Sequence, residues 1–379
     1  MSGFSRTSVY AGVAASRIPV PVAGPHCEDA RGPLAASSVS WHGAQSLLAR
    51  SGDSCRPDLH RDSRHRNAST NVERALQPLR LSRRDFLYAG VAALLVGVDR
   101  LEAAQAARIT TIDLGGATLL QGAGGNVIAL PGPDGALMID GGLKANAEAL
   151  LAAVQSATKS TRINTLINTH WHPDQTGANE AVGKSGGVIF AHEKTKTLLS
   201  NTVYSAIGFK TRVPPLPKEG RPTKTVRGDG SMEFAGQQID YGYMPAAHTD
   251  GDLFIHFPRL NLLAVGGVVS AEEWPLLDYK NGAWLGGRVR ALERLATVVR
   301  PDTRVVPATG RMMTGTEIVR HRDMYQKLFT TMIEYLNMGL GPEDAVMKNP
   351  LKEYEKEFGD ASDFEYAANR SMMIAYVPD

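Results

Sequence analysis

The stretch Asn168-Thr169-His170-Trp171-His172-Pro173-Asp174-Gln175-Thr176-Gly177 carries the densest chemistry in the chain, directly after the β-rich run 163–168. In an extended backbone, residues two apart point the same way, so His170 and His172 can approach one cation from one side. A third ligand must come from elsewhere, and His248 is the best candidate, in Ala247-His248-Thr249-Asp250-Gly251-Asp252. Three imidazoles with an open fourth position form the arrangement in which Zn²⁺ lowers the pKa of a water to about 7. One zinc ion is therefore expected, with iron or manganese as the alternatives. A single histidine near a strand is more often a hydrogen-bonded structural residue than a ligand, and His192, His256 and His321 are read that way.

These residues need a scaffold that brings distant strand ends together. From Arg108 onward, short β-rich runs alternate with Gly/Pro punctuation, which predicts one α/β domain. Strands are expected at 117–120, 127–130 and 136–139, joined by turns such as Pro131-Gly132-Pro133-Asp134-Gly135. Helical spacing follows at 145–156, and further strands at 163–168, 188–191, 238–244, 253–257, 262–265 and 304–307. A helix is expected over 288–299. The tail from about Thr316 differs: 318–336 is a long amphipathic helix candidate, Gly339 and Gly341-Pro342 break it, and another helix begins over 342–347. Packing on the main domain is the expected use of these helices, and homodimer contacts are the alternative.

The pattern His170-x-His172-x-Asp174, the upstream Ile139-Asp140-Gly141-Gly142 and the downstream His248-Thr249-Asp250-Gly251-Asp252 together resemble the metallo-β-lactamase superfamily over most of residues 107–320. The resemblance implies an αββα sandwich, an α/β fold of two mixed β-sheets face to face with helices outside and the metal at one edge. In this reading Asp174 faces the activated water and takes its proton. Its alternative use is to cap the helix that follows. Asp140 is read as orienting a ligand histidine or the loop. Trp171, Tyr204, Phe209 and Trp274 are weak candidates for a substrate pocket, since buried aromatics are usually core.

Departures from the family pattern bear on the metal count. The first motif usually ends in His, where this chain has Gln175. The family's bridging Asp falls at Val265-Gly266-Gly267, so Gly267 has no ligand to offer. The closing Pro-Gly-His-Gly is replaced by Pro307-Ala308-Thr309-Gly310, so Thr309 stands for a histidine. A second metal would keep Asp174 and the weak carbonyl oxygen of Gln175, too few donors for a divalent ion. A mononuclear site is expected, and with it hydrolysis of an acyl bond in a small-molecule substrate: an ester, lactone, thioester or amide. Phosphodiester cleavage commonly uses two metals. The reading from a different class is a metal- or ligand-binding protein that keeps the fold without turnover.

The flanking sequence speaks to export. The chain has 379 residues and a net charge of +2. Residues 1–106 hold 13 Arg, no Lys and 9 acidic groups, leaving 28 basic and 30 acidic groups for the body. A nearly neutral body has no electrostatic footprint for nucleic acid. Cys27 and Cys55 both precede residue 80, so the body has neither disulfide nor cysteine nucleophile. Ser82-Arg83-Arg84-Asp85-Phe86-Leu87, the apolar run 88–98 and Ala104-Gln105-Ala106 read as a twin-arginine signal peptide over 81–106. Its run is too short for a span of roughly 20 residues, so the mature form is expected without a membrane span and in the periplasm, delivered by the twin-arginine machinery. Residues 1–80 lack periodicity and read as a disordered extension or as sequence upstream of the true start. The expected domains are 107–315 for the catalytic unit and 316–379 for the helical extension.

Overall fold

A computed structural model of the chain describes residues 108–204 and 212–376. The signal-like segment, both cysteines and Phe209 lie outside the described residues. The observed fold is the expected sandwich. The first sheet contains seven strands: β1 Thr110–Asp113, β2 Thr118–Gln121, β3 Val127–Leu130, β4 Ala136–Ile139, β5 Ile163–Ile167, β6 Val188–His192 and, at its far edge, β9 Lys224–Val226. A separate two-stranded ribbon joins β7 Val203–Tyr204 to β8 Arg212–Val213. The second sheet runs in chain order through β10 Gly230–Phe234, β11 Gln237–Met244, β12 Asp252–Phe257, β13 Leu262–Gly266, β14 Arg304–Pro307 and β15 Met313–Thr314.

Both sheets are mixed. Strands β1 to β4 form an antiparallel meander, whereas β4, β5, β6 and β9 pair in parallel, as do β13 and β14. Parallel pairing requires covered faces, and the apolar runs comply. All four residues of β3 are buried, with Ile128 and Leu130 pointing between the sheets and Val127 and Ala129 outward. Ile128, Ile139, Ile167 and Phe190 meet Ile239, Ile255, Phe257 and Val306 in the core between the sheets. Each such buried aliphatic or aromatic side chain contributes about 1.5–3 kcal/mol.

Helices close the outer faces. On the first sheet, α1 (Ala147–Thr158) buries Leu150 and Val154 against Met138 and Leu166. The short helices α2 (Pro173–Thr176), α3 (Asn179–Lys184) and α4 (Glu193–Ser200) follow β5 and β6. On the second sheet, Phe254, Leu263 and Val265 pack under α5 (Leu285–Val298) and α6 (Gly315–Asn337). A capping box starts α6: Thr314 accepts from the Glu317 backbone, and the Glu317 carboxylate accepts from the Thr314 N–H. After α6 come α7 (Pro342–Lys348), α8 (Glu355–Phe358) and α9 (Ser362–Tyr376). Ala345, Phe358, Phe364 and Met372 of these helices share one apolar cluster with Leu292 of α5. The C-terminal region is thus part of the sandwich's outer layer. No described helix is long and apolar enough to cross a membrane.

The periodicity placed most of these elements within a few residues. Strands β1, β7, β8, β9, β10 and β15 have no counterpart among the expected ones. Every residue of β1 is exposed, and β9 has only one partly covered residue, so neither shows the buried pattern that marks a strand. Pairing to a neighbour, rather than burial, makes them strands.

Candidate metal centre

The carboxyl ends of the parallel strands converge on one edge of the sandwich. After β5, the backbone runs from Asn168 through His172 before α2 begins. His248 comes from the loop joining β11 to β12, and Gly267 follows β13. Asn168 and Asn179 exchange reciprocal side-chain hydrogen bonds of 3.0 and 2.8 Å, which tie the histidine loop to α3. Asp252 fixes the other loop, accepting from the backbone N–H groups of His248 and Thr249 at 2.7 and 2.8 Å and from the Thr249 hydroxyl at 2.6 Å.

The structure brings His170, His172 and His248 together. Their ligand-type nitrogens lie within 4.8 Å of one another, all three side chains are buried, and no carboxylate joins the cluster among the described residues. The hydrogen bonds on the far side of each ring decide which nitrogen is free. His172 Nε2 is 3.0 Å from Asp278 Oδ2, so it donates there and leaves Nδ1 as the lone-pair atom. His248 Nδ1 donates to the Leu276 carbonyl at 2.7 Å and leaves Nε2. Thr169 Oγ1 gives its proton to Asp140 Oδ2 at 2.7 Å, so it accepts from His170 Nδ1 at 3.0 Å, and His170 Nε2 is left. These are the outer partners that orient metal-bound imidazoles.

His172 Nδ1 and His248 Nε2 are then 3.0 Å apart with no proton between them. Two lone pairs that face each other repel unless a cation lies between, and three imidazole nitrogens suit zinc above harder ions. The residues present fit a metal ion. Burial, followed by the neighbouring histidines, holds His170 and His248 well below the ordinary imidazole range, so both rings are neutral near pH 7.

Asp140 follows β4 with a left-handed φ of 62°, a conformation Asp tolerates better than most residues. Its carboxylate accepts from the Thr169 N–H at 2.8 Å and from the Thr169 hydroxyl, so it reaches His170 through that hydroxyl. Burial pushes its pKa up, against the two bonds donated by Thr169, which favour the charged form. Burial also raises Asp252, to about 6.

Asp174 lies inside α2, one residue after Pro173 at the first turn, and His172 occupies the N-cap position. Helix capping is therefore not its use. Its Oδ2 accepts a 2.7 Å bond from Gln175 Nε2, and it stands outside the histidine cluster. Gln175 is fully buried; its Nε2 is also 3.5 Å from the Ala308 carbonyl, and its Oε1 has no hydrogen-bond partner. Thr309 is directed to Glu273 at 3.2 Å. Gly267 packs on the His248 ring so closely that a Cβ there would overlap it.

The other candidates have structural surroundings. His192 accepts from the Lys194 N–H at the start of α4 and stacks on Tyr243 at 3.9 Å. His256 faces Asp240 across the β11–β12 ladder, and His321 is buried on α6 beside Phe358. Trp171 is buried against Leu199 and Val203 as core, Tyr204 is exposed on β7, and Trp274 stacks on Phe364. Asp278 and the Leu276 carbonyl were not anticipated. Asp278 is 106 residues from His172, and no spacing rule links them.

A buried three-histidine cluster at the strand ends of an αββα sandwich defines a metallohydrolase-type centre. A family model described as the metallo-beta-lactamase superfamily matches residues 121–310, and the chain belongs to that superfamily. It is 24% identical over 262 residues to a linear primary-alkylsulfatase of a Pseudomonas species, covering 58% of this chain and 48% of that protein. The chain thus spans about half the length of the curated relative it matches. Among solved structures it is similar to the stereoselective inverting sec-alkylsulfatase Pisa1 from Pseudomonas sp., with TM-score 0.53, 15% identity and coverage of 73% and 51% of the two chains. It also matches a metallo-beta-lactamase from Pontibacter korlensis, at TM-score 0.44 and 23% identity over 57% of this chain and 93% of that one.

Proposed function

We propose that the protein is a metal-dependent hydrolase acting on an acyl bond (ester, lactone, thioester or amide) through one ion held by His170, His172 and His248. The observation that carries this reading is the orientation of the three rings, each with its proton-bearing nitrogen tied outward and its lone pair turned inward. Bound zinc supplies Lewis acidity, which makes a water nucleophilic at neutral pH and polarises the scissile carbonyl. Asp174, half-buried and fixed by Gln175, orients the attacking water and takes up its proton. Asp140 and Asp278 hold the ligand rings in register, through Thr169 and directly.

The mononuclear reading rests on Gln175 and Gly267: an amide N–H occupies the neighbouring side of Asp174, and no side chain fits at 267. Sulfate-ester hydrolysis is the second reading, favoured by the alkylsulfatase relative. Export through the twin-arginine route is part of the proposal, on the strength of Arg83-Arg84 and the apolar run after them.

The test is metal content by plasma mass spectrometry of the full chain, with turnover of p-nitrophenyl esters, lactones and decyl sulfate. One zinc per chain with ester or lactone turnover supports the reading, provided His248→Ala abolishes both. Asp174→Ala should keep the metal and lose at least ~100-fold in kcat, the lower end of general-base effects. A metal-free parent, or an Asp174→Ala variant at full rate, defeats the assignment. Turnover of decyl sulfate alone moves it to the second reading.

A further inference from the structure

A cavity of about 1000 Å³ lies between the segment Glu273–Tyr279 and helices α7 to α9. Volumes of this order accommodate small organic ligands. Its apolar wall is aromatic, built from Trp274, Phe358 and Phe364 with Leu277 and Val346 beside them. The rings are held in place: Trp274 Nε1 donates to the Gly359 carbonyl at 2.9 Å, and its ring stacks on Phe364 at 5.5 Å and meets Phe358 at a tilt, 4.9 Å away.

Carboxylates dominate the charge at the mouth. Glu273, Glu343, Asp360 and Asp363 line the cavity and are exposed, while no Lys, Arg or His lines it. Two cations stand near it: exposed Arg370 acts electrostatically on the lining Tyr279, and beneath the floor Arg288 sits 5.5 Å from the Phe364 ring. Arg288 is buried and bonded to the Pro275 and Leu276 carbonyls, so it offsets part of the field without closing the mouth. A carboxylate-ringed opening raises the local concentration of cations, and aromatic faces within about 6 Å attract quaternary ammonium groups.

We propose that this cavity is a binding site for an organic cation with an apolar body, of the alkyl- or arylammonium class. The carboxylates select the charge, and the Trp274–Phe364 wall receives the apolar part. The site stands apart from the hydrolytic reading, since its readout is binding and not turnover. It also shares a wall with the metal centre through Leu276, whose carbonyl holds His248.

Calorimetric titration of the zinc-treated full chain tests it, with decyltrimethylammonium, decyl sulfate and decyl glucoside as probes below their micelle concentrations. The ammonium probe should bind once per chain and at least tenfold more tightly than either of the others. The double variant Glu343→Gln, Asp363→Asn, altered only at exposed positions, should reduce that preference at least fivefold. Trp274→Leu should weaken binding of the cation, with circular dichroism confirming the fold. Absence of saturable ammonium binding, equal affinity for the sulfate or the glucoside, or a preference unchanged in the double variant would each overturn the proposal.

Discussion

Replacing Gly267 by Ala adds one methyl group at the most crowded point of the centre. A Cβ built there falls closer than 3.0 Å to Nε2, Cδ2 and Cε1 of His248, whereas ordinary contact begins at 3.4 Å. The ring must therefore retreat by more than about 0.4 Å, twice the roughly 0.2 Å tolerance of a metal–ligand distance. It cannot slide freely, because its Nδ1 is tied to Leu276 and that carbonyl is tied to Arg288. His248 should lose its place as a ligand. Disturbing an outer partner of a metal ligand costs about 10–100-fold in affinity, so displacing the ligand itself should cost more than ~100-fold, or about 2.7 kcal/mol. Competition against a fluorescent zinc chelator measures this directly, with thermal melting of the metal-free forms as the control for folding. A Gly267→Ala protein that binds zinc within threefold of the parent would refute the placement of His248. The same crowding means that Gly267→Asp, which writes the family's bridging carboxylate back, should expel the first ion before it recruits a second.

Asp278→Asn keeps the shape but removes the charge that orients His172, and should weaken zinc binding ~10–100-fold while circular dichroism is unchanged. Gln175→His alone should leave the zinc stoichiometry of the parent unaltered, since Thr309 and Gly267 still supply no donors; two ions per chain would show that the second site was one residue from completion. His321, buried with its Nδ1 unpaired, is held down to about 4 by burial. Its folded value lies below its unfolded one, so its contribution is complete above pH 6.5 and lost as pH falls toward 4. Denaturant titrations of parent and His321→Leu should therefore diverge by as much as roughly 3 kcal/mol between those limits, and parallel curves would show that His321 does not drive the acid loss.

Legibility in the sequence followed burial. The boundaries of β3, β4 and β14 match expectation because each is an apolar run closed by Gly, Pro or Asp. The exposed edges β1 and β9 carry no such pattern and are strands only because a partner pairs with them. At the centre, the ligand histidines could be read from local spacing and order. Their partners could not: Asp278 and the Leu276 carbonyl come from an irregular segment with no motif, and the latter acts through its backbone, which side-chain identity does not encode.

The departures from the family pattern look like losses in the sequence, but in three dimensions two of them are fitted parts. Gln175 donates from Nε2 toward Asp174 and the Ala308 carbonyl, both acceptors, and turning the amide over would set its oxygen against them. The amide thus supplies the partial positive charge that a second cation would bring to Asp174, at the cost of leaving Oε1 unpaired. Gly125 makes room for this arrangement, since a Cβ there would meet the Asp174 carbonyl at 2.6 Å and Gln175 Nε2 at 2.7 Å. Gly267 in turn gives the His248 ring the space that an acidic side chain would take. The Gly at 267 thus supports the placement of His248, so adding a carboxylate back at that position would displace a first-metal ligand before it created a second site.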